Sequence, residues 1–143
     1  MQHPQHPDLL VLSRFEAMDF TAEAPYAVIS ITDPETPPAV LKSPPSCRGV
    51  LRLQFHDITR PQDGYALMTE EHARQITAFV SAWRETVDLF VVHCEGGVSR
   101  SAAVAAALAW WWNGEIDHFF AEYLPNDYIY ALMVQTLRGD ASA

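Results

Sequence analysis

The stretch from residue 89 to 112 limits the possible folds more than any other part of the chain. Leu89-Phe90-Val91-Val92 is an uninterrupted apolar run. Such a run reads as a central strand covered on both faces, which is the situation of strands in parallel sheets packed by helices. His93-Cys94-Glu95-Gly96-Gly97-Val98-Ser99 follows as a Gly-containing turn. An Ala-rich helix then runs to about Trp112 and stops near Asn113-Gly114. A buried strand feeding directly into a helix needs further strands beside it and further helices over it.

The rest of the chain supplies them. Leu9 to Leu12 predicts a first strand, and Ser13 caps a short helix through Met18. Tyr26 to Ile31 predicts a second strand, ended by Asp33-Pro34. Residues 33–46 hold five prolines and read as an irregular surface loop. Val50 to Phe55 alternates apolar and polar residues, so a third strand with one protected face is expected. Asp57 to Gly64 is a loop. Thr69 before Glu70 and Glu71 starts a helix whose stripe is Ala73, Ile76, Val80, Trp83 and Val87. Ile116 to Tyr123 and Ile129 to Thr136 outline two more. Strands alternating with helices predict an α/β fold: three layers with a mostly parallel central sheet flanked by helices. Its 143 residues fit a single domain. Residues 1–8 are expected to be a flexible polar tail, and His3 and His6 within it are not read as a metal site.

In open α/β sheets ligands bind at the carboxyl ends of strands. A loop there that enters a helix N-terminus presents backbone N–H groups and the positive dipole end, which suits an anion. Glu95, Gly96, Gly97, Val98 and Ser99 would offer that backbone, the two glycines letting it curl around one centre. Arg100, six residues after Cys94, can return from the first turn of the helix and grip two anion oxygens. Cys94 starts the loop, so its sulfur lies under the anion, where the same N–H groups favour a thiolate. Ser101 can hydrogen-bond that sulfur, and His93 is expected to hold the loop through the backbone. The side chain of Glu95 is expected to point to solvent.

His93-Cys94, five residues, Arg100-Ser101 resembles the signature of the protein tyrosine phosphatase superfamily. Gly97-Val98-Ser99-Arg100-Ser101 is similar to its compact dual-specificity branch and to related small bacterial phosphatases. The resemblance covers roughly Val50 to Leu137 and implies a phosphatase of phosphoproteins. It implies Cys94 as nucleophile, a phosphocysteine intermediate, phosphate held by residues 95–100, and no metal or cofactor. It also implies an aspartic general acid from a separate loop. Asp57, directly after the third strand, is favoured over Asp63, whose place before Gly64 suits a turn.

The formal net charge of −9 disfavours nucleic acid and anionic membranes, which demand clustered Lys and Arg. Two cysteines make no disulfide framework, so a reducing cytoplasm is the expected setting. Cys47 reads as an inert small hydrophobe, with a resolving role for oxidised Cys94 as the lesser reading. Trp110, Trp111 and Trp112 cannot all face one core, so at least one is expected near the surface, packed by the C-terminal helices or a second chain. The competing functions are a non-catalytic phosphate-binding module and a sulfurtransferase or arsenate reductase with a Cys-based anion loop. A phosphorylated protein or peptide is the expected partner, with phosphate or sulfate in the loop.

Overall fold

The computed structural model describes residues 6–140. In chain order the elements are β1 (Asp8–Leu12), α1 (Arg14–Asp19), β2 (Tyr26–Thr32), β3 (Cys47–Gln54), α2 (Glu70–Trp83), β4 (Leu89–His93), α3 (Arg100–Trp112), α4 (Asp117–Glu122) and α5 (Asp127–Arg138). The strands lie in the order β1-β4-β2-β3 and every pairing is parallel. The fold class is therefore the α/β one expected, with a sheet that is parallel throughout.

The period-2 geometry of strands sorts the core. Ala27, Ile29 and Ile31 of β2, with Phe90 and Val92 of β4, point to the face covered by α2, α3 and α5. Tyr26, Val28 and Val91 point to the other face, where Leu10, Leu12, Phe20, Ala22 and Leu41 pack on them. That second layer is thin, made by α1 and the Pro-rich segment rather than by a long helix. Its short helix is well started: Ser13 accepts from the Glu16 N–H, and the Glu16 carboxylate accepts from the Ser13 N–H, a reciprocal capping box.

Alanine explains the placement of α3. Residues from Arg100 to Ala109 are all buried, and small side chains let this helix lie close against the sheet while α5 covers its far side. The indoles of its last turn are half-buried. The Arg84 guanidinium lies 5.3 Å from the Trp111 ring and 5.4 Å from that of Trp112, and Arg138 lies 5.5 Å from Trp110. The polar start of the chain reaches the same place. His6 stacks on Trp112 at 5.1 Å, and Asp8 already belongs to β1. His3 lies outside the described residues. Among those residues no helix is long and apolar enough to cross a membrane.

Candidate active site

Parallel strands all end on one edge, so the loops after β2, β3 and β4 gather there. The loop after β4 holds Cys94, which is 2% exposed. The Gly97 N–H donates to its Sγ at 3.2 Å, and the Ser101 Oγ lies 3.1 Å from it. Burial pushes the Cys94 thiol up. Hydrogen bonds from the Ser101 hydroxyl, the Ser101 N–H and the Gly97 N–H outweigh it, with help from the Arg100 charge, and the net shift is downward. Among the described residues no protein acceptor takes the N–H of Glu95, Gly96, Val98 or Ser99. α3 opens without a side-chain cap, because Ser99 directs its hydroxyl elsewhere.

The two glycines differ. Gly97 has φ +68°, and a Cβ there would sit 2.5 Å from the Ser13 backbone nitrogen and 2.6 Å from the Leu12 carbonyl carbon. The loop passes so close to the β1–α1 junction that only glycine fits. Gly96 is exposed, with nothing within 4 Å of an added Cβ. Gly97 alone thus carries the curl that was expected of both. Gly97→Ala should cost roughly 2–5 kcal/mol from combined left-handed strain and overpacking. Gly96→Ala should be nearly neutral, and denaturant melts of both variants check the contrast.

His93 is fully buried, and β2–β4 register places it beside Ser30. The Cys94 carbonyl can only accept, so His93 Nδ1–H donates to it at 3.1 Å. Nε2 then accepts from the Ser30 hydroxyl at 2.6 Å. Burial pushes the ring's pKa down, consistent with a neutral imidazole that fixes the start of the loop.

Arg100 is 5% exposed and opens α3. Its Nη1 donates to Asp33 Oδ1 at 2.7 Å and to the Phe55 carbonyl at 2.7 Å, which anchors one end of the fork at the ends of β2 and β3. Its Nε–H is buried and has no hydrogen-bond partner among the described residues.

Glu95 does not point to solvent as expected. Its Oε2 accepts from Arg14 Nη1 at 3.3 Å, the Asp33 N–H at 3.2 Å and the Thr36 hydroxyl at 3.2 Å, while its carbonyl accepts from the Arg14 N–H. Three donors, one from α1 and two from the turn after β2, draw the carboxylate inward, and it ties the Cys94 loop to both.

Asp57, three residues beyond the end of β3, faces this loop. Its Oδ1 accepts from Ser99 Oγ at 2.9 Å and from Asn126 Nδ2 at 2.8 Å. Asn126 is buried, caps α5 by accepting from the Ile129 N–H, and also donates to the Ile58 carbonyl. Asp63 sits on an exposed turn beside Gly64, which has φ +82°, and nothing among the described residues ties it to the Cys94 loop. Val98 is exposed at the rim, its carbonyl accepting from the Leu124 N–H.

Cys47 lies at the opposite edge. It pairs in register with Tyr26, which is level with Leu89, and Cys94 follows five residues beyond that. At about 3.3 Å per residue the two cysteines are about 16 Å apart along the sheet alone, too far for a disulfide. The resolving role is excluded for this conformation. Sequence reasoning missed Asp33, Asn126, Ser30 and Arg14. Ser30 had a signal, a hydroxyl inside an otherwise apolar strand. Asp33 had one too, an acid directly after a parallel strand.

No protein-family model matches the chain, and no curated protein matches it in sequence. Solved structures do match. Human DUSP28 superposes with a TM-score of 0.64 at 19% identity, covering 92% of each chain. The human tyrosine phosphatase-like serine/threonine/tyrosine-interacting protein gives 0.61 at 19% identity, over 91% of this chain and 88% of that one. Tk-PTP in its active form gives 0.56 at 16% identity, over 97% and 100%. The chain thus has the fold of compact tyrosine and dual-specificity phosphatases.

Proposed function

We propose that this protein is a cysteine-dependent phosphatase that hydrolyses phosphotyrosine, and phosphoserine or phosphothreonine where the site admits them, on a protein substrate. One observation carries the reading: a buried Cys94 sulfur that accepts hydrogen bonds beside a buried Arg100 whose Nε–H has no partner. A sulfur with that many donors favours the thiolate, and an anchored guanidinium with an unspent donor favours an anion.

In the first step the Cys94 thiolate attacks phosphorus in line. The S–P bond forms, the P–O bond to the substrate oxygen breaks, and Asp57 gives that oxygen its proton. The loop N–H groups and Arg100 hold the charge on the transferring phosphoryl group. In the second step the Asp57 carboxylate takes a proton from water. The water oxygen bonds phosphorus, the S–P bond breaks, and the Ser101 hydroxyl donates to the departing sulfur. Ser99 and Asn126 fix Oδ1 of Asp57, which leaves Oδ2 as the oxygen that carries the proton. Among the loop residues 94–101 only Arg100 is basic, and it is already paired with Asp33, so a substrate with several phosphates is poorly matched.

The general acid is the part to test. Asp57→Asn should slow hydrolysis of phenyl phosphate or phosphotyrosine within the roughly 10²–10⁴-fold span of a general acid. An ester with a good leaving group should slow far less. Asp63→Asn should leave both rates near wild type. A leaving-group-dependent defect in Asp63→Asn alone would transfer the role to Asp63. A defect in neither would favour a binding module without turnover.

A further inference from the structure

The loop that carries Asp57 is held shut by a side chain the reaction does not use. The His56 N–H donates to the Ala66 carbonyl at 2.7 Å, and the Ala66 N–H donates back to His56 Nδ1 at 2.8 Å. The imidazole thus supplies the second rung of a bridge across the neck of the 57–65 loop, standing where a carbonyl would stand in a strand pair. Because Nδ1 accepts, the ring hydrogen is on Nε2. That N–H meets the Glu35 carboxylate, at 3.0 Å from Oε1 and 2.9 Å from Oε2. The edge of Tyr65 packs against the ring at 5.0 Å, and the His56 side chain is only 11% exposed.

Glu35 sits in the turn after β2, closed by the Thr36 N–H on the Asp33 carbonyl. The same turn holds Arg100 through Asp33 and Glu95 through Asp33 and Thr36. A Glu35–His56 contact therefore couples three loops: the one bearing the acid, the one bearing the anchor for the clamp, and the one bearing the nucleophile. Asp57 is gripped on one side by Ser99 and Asn126, and on the other it follows directly on His56.

We propose that Glu35 and His56 form a clasp that positions Asp57 over the Cys94 loop for protonation of the leaving group. His56 is a positioning residue and touches no reacting atom. The proposal rests on the phosphatase reading and on Asp57 as acid, and its test separates the two.

The clasp is tested by comparing wild type, Asp57→Asn, His56→Ala, His56→Asn, Glu35→Ala and the His56→Ala/Asp57→Asn double variant on phenyl phosphate and on an activated aryl phosphate. A misplaced acid loses much of its effect, so His56→Ala should lower kcat on phenyl phosphate about 10–100-fold and on the activated ester only about 2–3-fold. Vanadate affinity should be unchanged, since the Cys94 loop is intact. His56→Asn offers its Oδ1 to the Ala66 N–H and should recover part of the loss. Glu35→Ala removes a side chain 66% exposed, so it tests the clasp without risk to folding, and should show the same selective defect at about 3–10-fold. The double variant should be no slower on phenyl phosphate than Asp57→Asn alone. Equal losses on both esters in His56→Ala and Glu35→Ala, or none, would overturn the clasp while an Asp57→Asn defect upheld the acid. Absence of a selective defect in Asp57→Asn would overturn both.

Discussion

Cys94→Ser should have no turnover above background while still binding phosphate or vanadate with near wild-type affinity. Serine keeps the shape and the hydrogen-bonding position beside Ser101 and Gly97. It loses the thiolate, because donors that pull a thiol pKa below its usual value of about 8.5 leave an alcohol neutral near pH 7. The loop N–H groups and Arg100 survive, so the anion site should persist, as isothermal titration with vanadate can measure. The same logic fixes a pH dependence. The folded protein holds the Cys94 pKa down, so its alkylation by iodoacetamide should persist to lower pH than that of an ordinary thiol and fade as the thiolate is protonated. The Cys94→Ser chain retains Cys47 as its sole thiol, which supplies the background rate. Retained turnover in Cys94→Ser would sink the mechanism.

How much of this site was legible in the sequence depends on distance along the chain. The strand, the loop and the first turn of α3 occupy one continuous stretch of fifteen residues, 89–103, so Cys94, Gly97, Arg100 and Ser101 announce themselves through local geometry. Helix starts were readable for the same reason, whereas α2 ends at Trp83, short of the Val87 placed on its stripe, and β3 begins at Cys47, three residues before the expected Val50. Periodicity and caps such as Thr69 are local, and α2 begins at Glu70 immediately after it. The supports around the loop are a different matter. Asn126 reaches Asp57 across 69 positions, Arg14 reaches Glu95 across 81, and His93 reaches Ser30 across 63. No periodicity connects such pairs. The outward expectation for Glu95 failed there, because a lone acid in a glycine loop reads as solvated until Arg14, Asp33 and Thr36 are brought to it. The two glycines were indistinguishable on paper for a related reason. The clash that makes Gly97 irreplaceable comes from Leu12 and Ser13, more than eighty residues upstream.

Arg100→Lys should lower kcat/KM by about 10²–10³-fold or more, the loss expected when a donor aimed at transition-state charge is removed. The charge is conserved, so a purely electrostatic role would predict a mild effect. The geometry argues against mildness. One guanidinium nitrogen, Nη1, already serves Asp33 and the Phe55 carbonyl, each at 2.7 Å, while the buried Nε–H has no partner among the described residues. A planar fork can do both at once, being anchored at one end and presenting two parallel donors along the other. An ammonium is a single point. If it stays with Asp33 it withdraws from the phosphate, and if it turns to the phosphate it leaves the Phe55 carbonyl and Asp33 without their buried donor. Either way vanadate affinity should fall along with kcat/KM, in contrast to Cys94→Ser, where affinity stays and turnover goes. A thermal melt separates this from simple unfolding, since a folded Arg100→Lys protein that binds vanadate poorly has lost the clamp and not the fold. A variant with near wild-type kcat/KM and vanadate affinity would show that Arg100 belongs to Asp33 and the sheet, and never to the phosphate.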